Sequence, residues 1–200
     1  MKVIVTGASG YIGGQTAVQL KDQGHDVYGI DYRPLPEHLN KLELFTEFAQ
    51  DNFASNDALT WTANHKFDAI IHCAGTSLVG PSIQNPSEYY NNNVVKTLKM
   101  LDIVCQAIPK TRIIFSSSAA VYGVPIMNPC HEVDPKEPIS PYGHSKFMIE
   151  TVKVSEKARI QLITLKKRTG IQNWNVLCRW AFCLSLKEET PLPNETIVTD

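Results

Sequence analysis

The chain has 200 residues, enough to bury one large core or two small ones. Its composition, 43% hydrophobic and 20% charged, is that of a soluble globular protein and excludes a disordered or collagen-like chain. The net charge of −1 excludes a uniformly polyanionic or polybasic protein, yet it is unevenly spread. Residues 1–150 hold 15 acids against 11 bases, whereas residues 151–200 hold 8 bases against 5 acids. The asymmetry suggests different partners for the two segments, with a solvated helix face as the plain alternative.

The five cysteines (Cys73, Cys105, Cys130, Cys178 and Cys183) form no C-x-x-C pair and no His/Cys metal spacing. No apolar run approaches membrane-spanning length, and the N-terminal run is too short for a signal-peptide core. A cytoplasmic protein with reduced thiols, no membrane partner and no metal is expected.

Lys2–Thr6 reads as a buried, β-branched strand ended by glycine. The loop Gly7-Ala8-Ser9-Gly10-Tyr11-Ile12-Gly13 follows, then a helical stretch closed by Gly24. Strand, glycine turn and helix place a pyrophosphate on free N–H groups at a helix N-terminus. The next strand spans 25–31, and Asp31 ends it 18 residues after Gly13, where a carboxylate can take an adenosine ribose. An acid there favours NAD over NADP, a preference that Arg33, two residues on, tempers. Asp51, near Phe53, is placed to hold and flank an adenine; an ordinary loop acid is the alternative. A helical segment over 88–105 lies between further strands at 67–72 and 112–116. Strands alternating with helices predict an α/β fold, a doubly wound parallel Rossmann sheet.

The chemistry falls at the end of the last of these strands. Ile113-Ile114-Phe115 runs into three hydroxyls, Ser116-Ser117-Ser118. Pro138-Ile139-Ser140-Pro141 then breaks the chain and Tyr142 opens a helix. Lys146, four residues on, shares a helix face with Tyr142. A free phenol is a poor base at neutral pH; a nearby ammonium and a cationic nicotinamide favour the phenolate, which needs about 4 kcal/mol of differential stabilisation. A serine hydroxyl would hold the substrate oxygen while the phenolate removes its proton and hydride leaves to the cofactor.

The segments Thr6–Gly13, Ser116–Gly123 and Ser140–Lys146, with Tyr89-Tyr90-Asn91-Asn92-Asn93-Val94, resemble the extended short-chain dehydrogenases of the UDP-glucose 4-epimerase type over about residues 1–150. The resemblance implies NAD, held by Gly7, Gly10, Tyr11, Ile12, Gly13, Asp31, Asp51, Asn93, Tyr142 and Lys146. It implies Ser118, Tyr142 and Lys146 as catalytic residues at the 4-hydroxyl of a UDP-sugar. One departure stands out. Many such epimerases carry a lysine near the cofactor where this chain has Thr76-Ser77-Leu78. The family also implies a long substrate domain, and the residues after Lys146 look unlike one, so epimerisation by this chain alone is expected to be weak or absent.

The remaining residues read as a second unit: a mainly helical strand-helix-helix segment over 151–190, joined near 147–154, and a polar tail over 191–200. Thr151–Val154 alternates like a strand, Ser155 is an N-cap, and Ala158, Leu162 and Leu165 form a helical stripe. Residues 174–186 are apolar nearly all round, as in a multimer. The segments Ser155–Ala158, Leu165–Ile171 and Asn175–Leu186 resemble the DNA sulfur modification protein DndE. That resemblance implies a homo-oligomeric DNA-binding module, with Lys166, Lys167 and Arg168 on phosphates and Lys153 facing a groove. Capping of a helix end is the alternative for the three bases. Two rival readings remain. Residues 174–182 could be a distorted strand of the continuous enzyme, or the join could be accidental.

Overall fold

The computed structural model describes residues 1–125 and 129–150. The expectations for 151–200, including the DndE-like helices and Lys153, Lys166, Lys167 and Arg168, lie outside the described residues.

Five parallel strands form one sheet in the order β3-β2-β1-β4-β5. They are β1 (Lys2–Thr6), β2 (Asp26–Asp31), β3 (Glu47–Gln50), β4 (Ala69–His72) and β5 (Arg112–Phe115). The order reverses at β1, which pairs with both β2 and β4 and aligns Thr6 with Ile30 on one side and His72 on the other. Ligands of open α/β sheets bind outside the carboxyl ends of the strands at such a reversal. Thr6, Asp31, His72 and Phe115 all sit at that edge.

β1 shows why the sheet is sandwiched. Val3, Ile4 and Val5 are each at most 1% exposed, so side chains on both faces are covered. Ile4 joins Ile30, Ile70, Met100 and Val104 under α3 (Asn56–His65) and α6 (Lys96–Ala107). Val3 and Val5 join Val27, Ala17, Leu20 and Leu39 under α1 (Tyr11–Asp22) and the short α2 (Glu37–Asn40). Each buried aliphatic side chain contributes about 1.5–3 kcal/mol.

Local signals set the helix ends. At the end of α1 the N–H of Gly24 donates to Lys21 and that of His25 to Leu20, satisfying its last carbonyls. Ser55 caps α3 by accepting from the N–H of Ala58 at 3.0 Å.

The segment expected as one helix over 88–105 is built in three pieces after α4 (Val79–Gln84): α5 (Pro86–Tyr90), a π-helical turn (Asn91–Val95) and α6. The wide turn inserts an extra residue and re-aims the side chains within it, a feature frequent at functional sites. β5 leads through Ser116–Ser118 into a 3-10 turn (Ala119–Tyr122), and α7 (Pro141–Glu150) carries the Tyr142/Lys146 pair.

Candidate active site

The glycine turn joins β1 to α1. Gly7 adopts φ +70°, and a Cβ there would lie 2.7 Å from the Ala74 nitrogen. A Cβ on Gly13 would lie 2.2 Å from the Gly7 carbonyl oxygen, so this helix can approach the turn only as glycine. Gly10 is the N-cap residue and offers no side-chain hydrogen bond to the first turn. The first N–H groups of α1 therefore lack a side-chain partner and present the positive helix end to the cavity.

Asp31 ends β2 beside this turn and is 4% exposed. Its Oδ2 accepts from the Ser9 N–H at 3.1 Å and from Arg33 Nη2 at 3.0 Å. Its Oδ1 accepts from the Arg33 N–H at 3.0 Å and from Arg33 Nε at 3.1 Å.

At the other end, α7 brings Tyr142 and Lys146 to the edge of β4 and β5. Lys146 is 5% exposed, donates to the Ser116 carbonyl at 3.0 Å and stands 4.8 Å from the centre of the Phe115 ring. Burial pushes its ammonium down to about 8, an effect that nearby Cys73 partly opposes. Tyr142 packs edge-on against Tyr89, whose hydroxyl donates to the Ser77 carbonyl at 2.7 Å. Beneath lies His72, with its ring nitrogens 2.7 Å from Thr6 Oγ1 and 2.9 Å from Thr97 Oγ1. Burial, reinforced by the Lys146 charge, pushes His72 down to about 3, so it is neutral at ordinary pH.

The two ends share one cavity of about 850 Å³. Gly7, Gly10, Tyr11, Ile12, Gly13, Asp31, Tyr142 and Lys146 all line it. Three other sequence candidates stand beside it. Ser118 caps the 3-10 turn, its Oγ accepting from the Ala120 N–H at 3.2 Å, while its neighbours Ser116 and Ser117 line the wall. The Ser117 hydroxyl is buried without a hydrogen-bond partner. Asp51 accepts from the Asn52 N–H at 2.6 Å and from the Ser55 hydroxyl, and it is Asn52 and Phe53 that reach the cavity. Asn93, in the π turn, is 2% exposed. It donates to the Thr76 carbonyl and to Ser145 Oγ, both at 2.9 Å, and accepts from the Thr76 N–H at 2.7 Å. Ser145 in turn donates to the Tyr142 carbonyl at 2.7 Å, so Asn93 ties the cavity's rear loop to the helix of Tyr142.

The rear loop, 73–77, and Asn92 and Lys96 also line the cavity; the sequence pointed to Thr76 and Ser77 only as a departure from the family and named none of these as site residues. Lys96 Nζ donates to Asn92 Oδ1 at 2.6 Å. The i, i+4 spacing of this pair, flanking Asn93, was the available signal. Among the described residues no cluster of His, Cys, Asp or Glu could hold a metal ion. No described helix is long and apolar enough to cross a membrane.

A glycine turn facing half-buried Tyr142 and buried Lys146 across one cavity defines a dinucleotide-binding fold of the short-chain dehydrogenase type. The chain belongs to the NAD dependent epimerase/dehydratase family, whose model matches residues 3–166. A second family model, DNA sulphur modification protein DndE, matches residues 151–200. The chain is 39% identical to the UDP-glucose 4-epimerase of Halalkalibacterium halodurans over 150 residues, covering 75% of this chain and 44% of that protein. UDP-glucose 4-epimerase 2 of Arabidopsis thaliana is 37% identical, with 75% and 45% covered. Among solved structures, the UDP-glucose 4-epimerase of Bifidobacterium longum in complex with NAD+ and UDP superposes with a TM-score of 0.69 at 33% identity, covering 75% of this chain and 47% of that one. The enzyme of Stenotrophomonas maltophila, with bound NAD and formylated UDP-arabinopyranose, gives 0.68 at 28% identity, with 86% and 50% covered. The chain spans about half the length of the curated relatives it matches.

Proposed function

We propose that residues 1–150 form the cofactor-binding and proton-transfer half of a nucleotide-sugar 4-epimerase acting on a UDP-hexose such as UDP-glucose or UDP-galactose. The observation that carries the reading is the single cavity lined at one end by the glycine turn and Asp31 and at the other by Tyr142 and Lys146. The residues fit NAD: Gly7 and Gly13 let the turn and α1 pack where a Cβ would strike backbone, and the first turn of α1 has no side-chain cap. NAD would lie with its pyrophosphate on the first turn of α1, formed by Tyr11, Ile12 and Gly13, and its adenosine toward Asp31, with Asp51 behind Phe53. When bound, it supplies the hydride acceptor and donor.

The protein's own residues handle the proton. Tyr142 Oη takes the proton of the sugar 4-hydroxyl and later returns it, with Ser118 Oγ orienting the sugar oxygen. The Lys146 ammonium favours the anionic form of a phenol on the same helix face. Asn93, through Ser145, holds the helix that carries both groups.

The test has two parts. Denatured protein should release NAD, whereas the native chain by itself should interconvert UDP-glucose and UDP-galactose only slowly. Tyr142→Phe should lower that rate about 10²–10⁴-fold with NAD still bound. Release of no NAD would sink the cofactor assignment; interconversion undiminished by Y142F would sink the proton-transfer role.

The DndE match over 151–200 favours a second reading, an oligomeric DNA-associated module carrying an inactive cofactor domain. Lys166, Lys167 and Arg168 would then contact phosphates, with Lys153 facing a groove. Binding to duplex or nicked DNA should be salt-dependent and weaken when Lys166, Lys167 and Arg168 are changed to Ala. Unchanged binding would remove the assignment.

A further inference from the structure

Lys96, the first residue of α6, is half-buried on the cavity wall. An ammonium has three donors. One goes to Asn92 Oδ1 at 2.6 Å. That amide is itself held, because Asn92 Nδ2 donates to Thr76 Oγ1 at 2.8 Å. Asn93 fixes Thr76 in turn, accepting from its N–H and donating to its carbonyl. The ammonium is therefore aimed by a chain of hydrogen bonds that runs from the π turn to the rear loop.

Its partners set Lys96 apart from other lysines of the molecule. Lys99, on the same helix, spends its ammonium on the Ala54 carbonyl at 2.9 Å and Asn56 Oδ1 at 3.0 Å, strapping α6 to the entrance of α3. Lys41 pairs with Glu37 and Lys136 with Glu150. Among the described residues Lys96 forms no ion pair. The two acids on the cavity wall are engaged elsewhere: Asp31 accepts four N–H bonds, and Glu88 accepts from Asn85 Nδ2 at 2.8 Å. A half-buried cation on one neutral acceptor keeps its charge and its remaining donors for a group that enters the cavity.

The first turn of α1 presents its uncapped N–H groups to the same cavity. Positive walls favour an anion, and charged phosphate oxygens suit an ammonium better than sugar hydroxyls do. Both ligands of the proposed reaction carry a diphosphate: the dinucleotide and the nucleoside diphosphate sugar. We propose that Lys96 is a diphosphate-binding residue of this cavity, its ammonium aimed at a phosphate oxygen by Asn92. The stretch Thr76-Ser77-Leu78 holds no lysine, so the cation comes from α6, and the rear loop only anchors it. The proposal rests on the reading of this cavity as a nucleotide site.

The experiment is calorimetric titration of the full chain and its K96M variant, which keeps an apolar stem and loses the charge. NAD and adenosine are titrated after removal of any bound cofactor, and UDP-glucose is titrated into the NAD-loaded protein. K96M should bind at least one of the two diphosphates about tenfold more weakly, with adenosine unchanged. The loss should shrink as salt is raised, because a charge contact is screened. A loss confined to NAD assigns Lys96 to the dinucleotide, and one confined to UDP-glucose assigns it to the sugar nucleotide. Equal affinities of K96M and the unaltered chain for both diphosphates would overturn the proposal. So would an equal loss for adenosine, which marks a reshaped cavity rather than a phosphate contact. Failure of the unaltered chain to bind NAD or UDP-glucose would overturn the nucleotide-site reading as well, and that outcome is distinguishable because it precedes any substitution.

Discussion

The two ends of the cavity handle buried charge in opposite ways. At the glycine-turn end, the Asp31 carboxylate is covered but fully answered, with four N–H donors on its two oxygens. At the Tyr142 end, the Lys146 ammonium is covered to a similar degree and, among the described residues, donates to the Ser116 carbonyl and lies against the face of Phe115, with no carboxylate hydrogen bond. His72, below it, is held neutral between two threonine hydroxyls. A compensated charge makes a stable recognition surface. An undercompensated one has a perturbed proton affinity, which is what acid-base chemistry requires. The contrast supports the proposed division of the site into a part that binds and a part that reacts.

Gly13→Ala should break the binding end with the largest effect. The new Cβ meets a backbone carbonyl oxygen at 2.2 Å, and neither α1 nor the turn can yield without moving β1. A loss on the order of 2–4 kcal/mol is expected in urea denaturation, together with loss of retained NAD. Gly24→Ala is the control. It stands at φ +77° with no atom near its Cβ, so about 1 kcal/mol should be lost with no effect on the cofactor. NAD retained by G13A would show that the turn does not hold the pyrophosphate.

A smaller effect probes the reacting end through pH. The folded value for His72, about 3, lies below the unfolded value of about 6.5, so the unfolded chain takes up the proton first as pH falls. The associated stability is complete above pH 6.5 and is lost progressively between 6.5 and 3, amounting to a loss on the order of 2 kcal/mol at pH 5. His72→Gln, which can still bridge Thr6 and Thr97, should show a flatter fall between pH 7 and 5. Parallel curves for the two proteins would mean that His72 titrates as an exposed histidine does.

The binding end was legible in the sequence because its requirements are local. A strand, glycines at 7, 10 and 13, and an acid at the end of the next strand are enough to state the glycine turn and the place of Asp31. The Tyr142/Lys146 pair was legible for the same reason, four residues apart on one helix. What stayed hidden depends on partners distant in sequence. The π turn that carries Asn93, bonded to Thr76 and Ser145, has no signature in hydrophobic spacing. β3 is only four residues, Glu-Phe-Ala-Gln, and its pairing to β2 comes from the sheet rather than from its own apolar content. The charge state of Lys146 depends on its burial, which no spacing rule supplies.

The smallest expected effect bears most directly on the contrast. Below its folded value of about 8, Lys146 stays charged in a nearly dry setting, and the folded state bears that desolvation. The unfolded value is about 10.5, so between pH 8 and 10.5 the unfolded chain holds more protons than the folded one. Stability contributed by this group therefore rises with pH across that window. Lys146→Met removes the charge and keeps a flexible apolar stem. At pH 7 it should gain on the order of 1–2 kcal/mol, less than the full desolvation term because the Ser116 carbonyl loses its donor. The gain over the unaltered protein should shrink toward pH 10 in paired urea curves, while proton transfer is lost. A destabilised K146M at pH 7 would mean that the carbonyl and the Phe115 ring outweigh desolvation. Lys146 would then be a compensated charge like Asp31, and the division between a binding end and a reacting end would have to rest on Tyr142 alone.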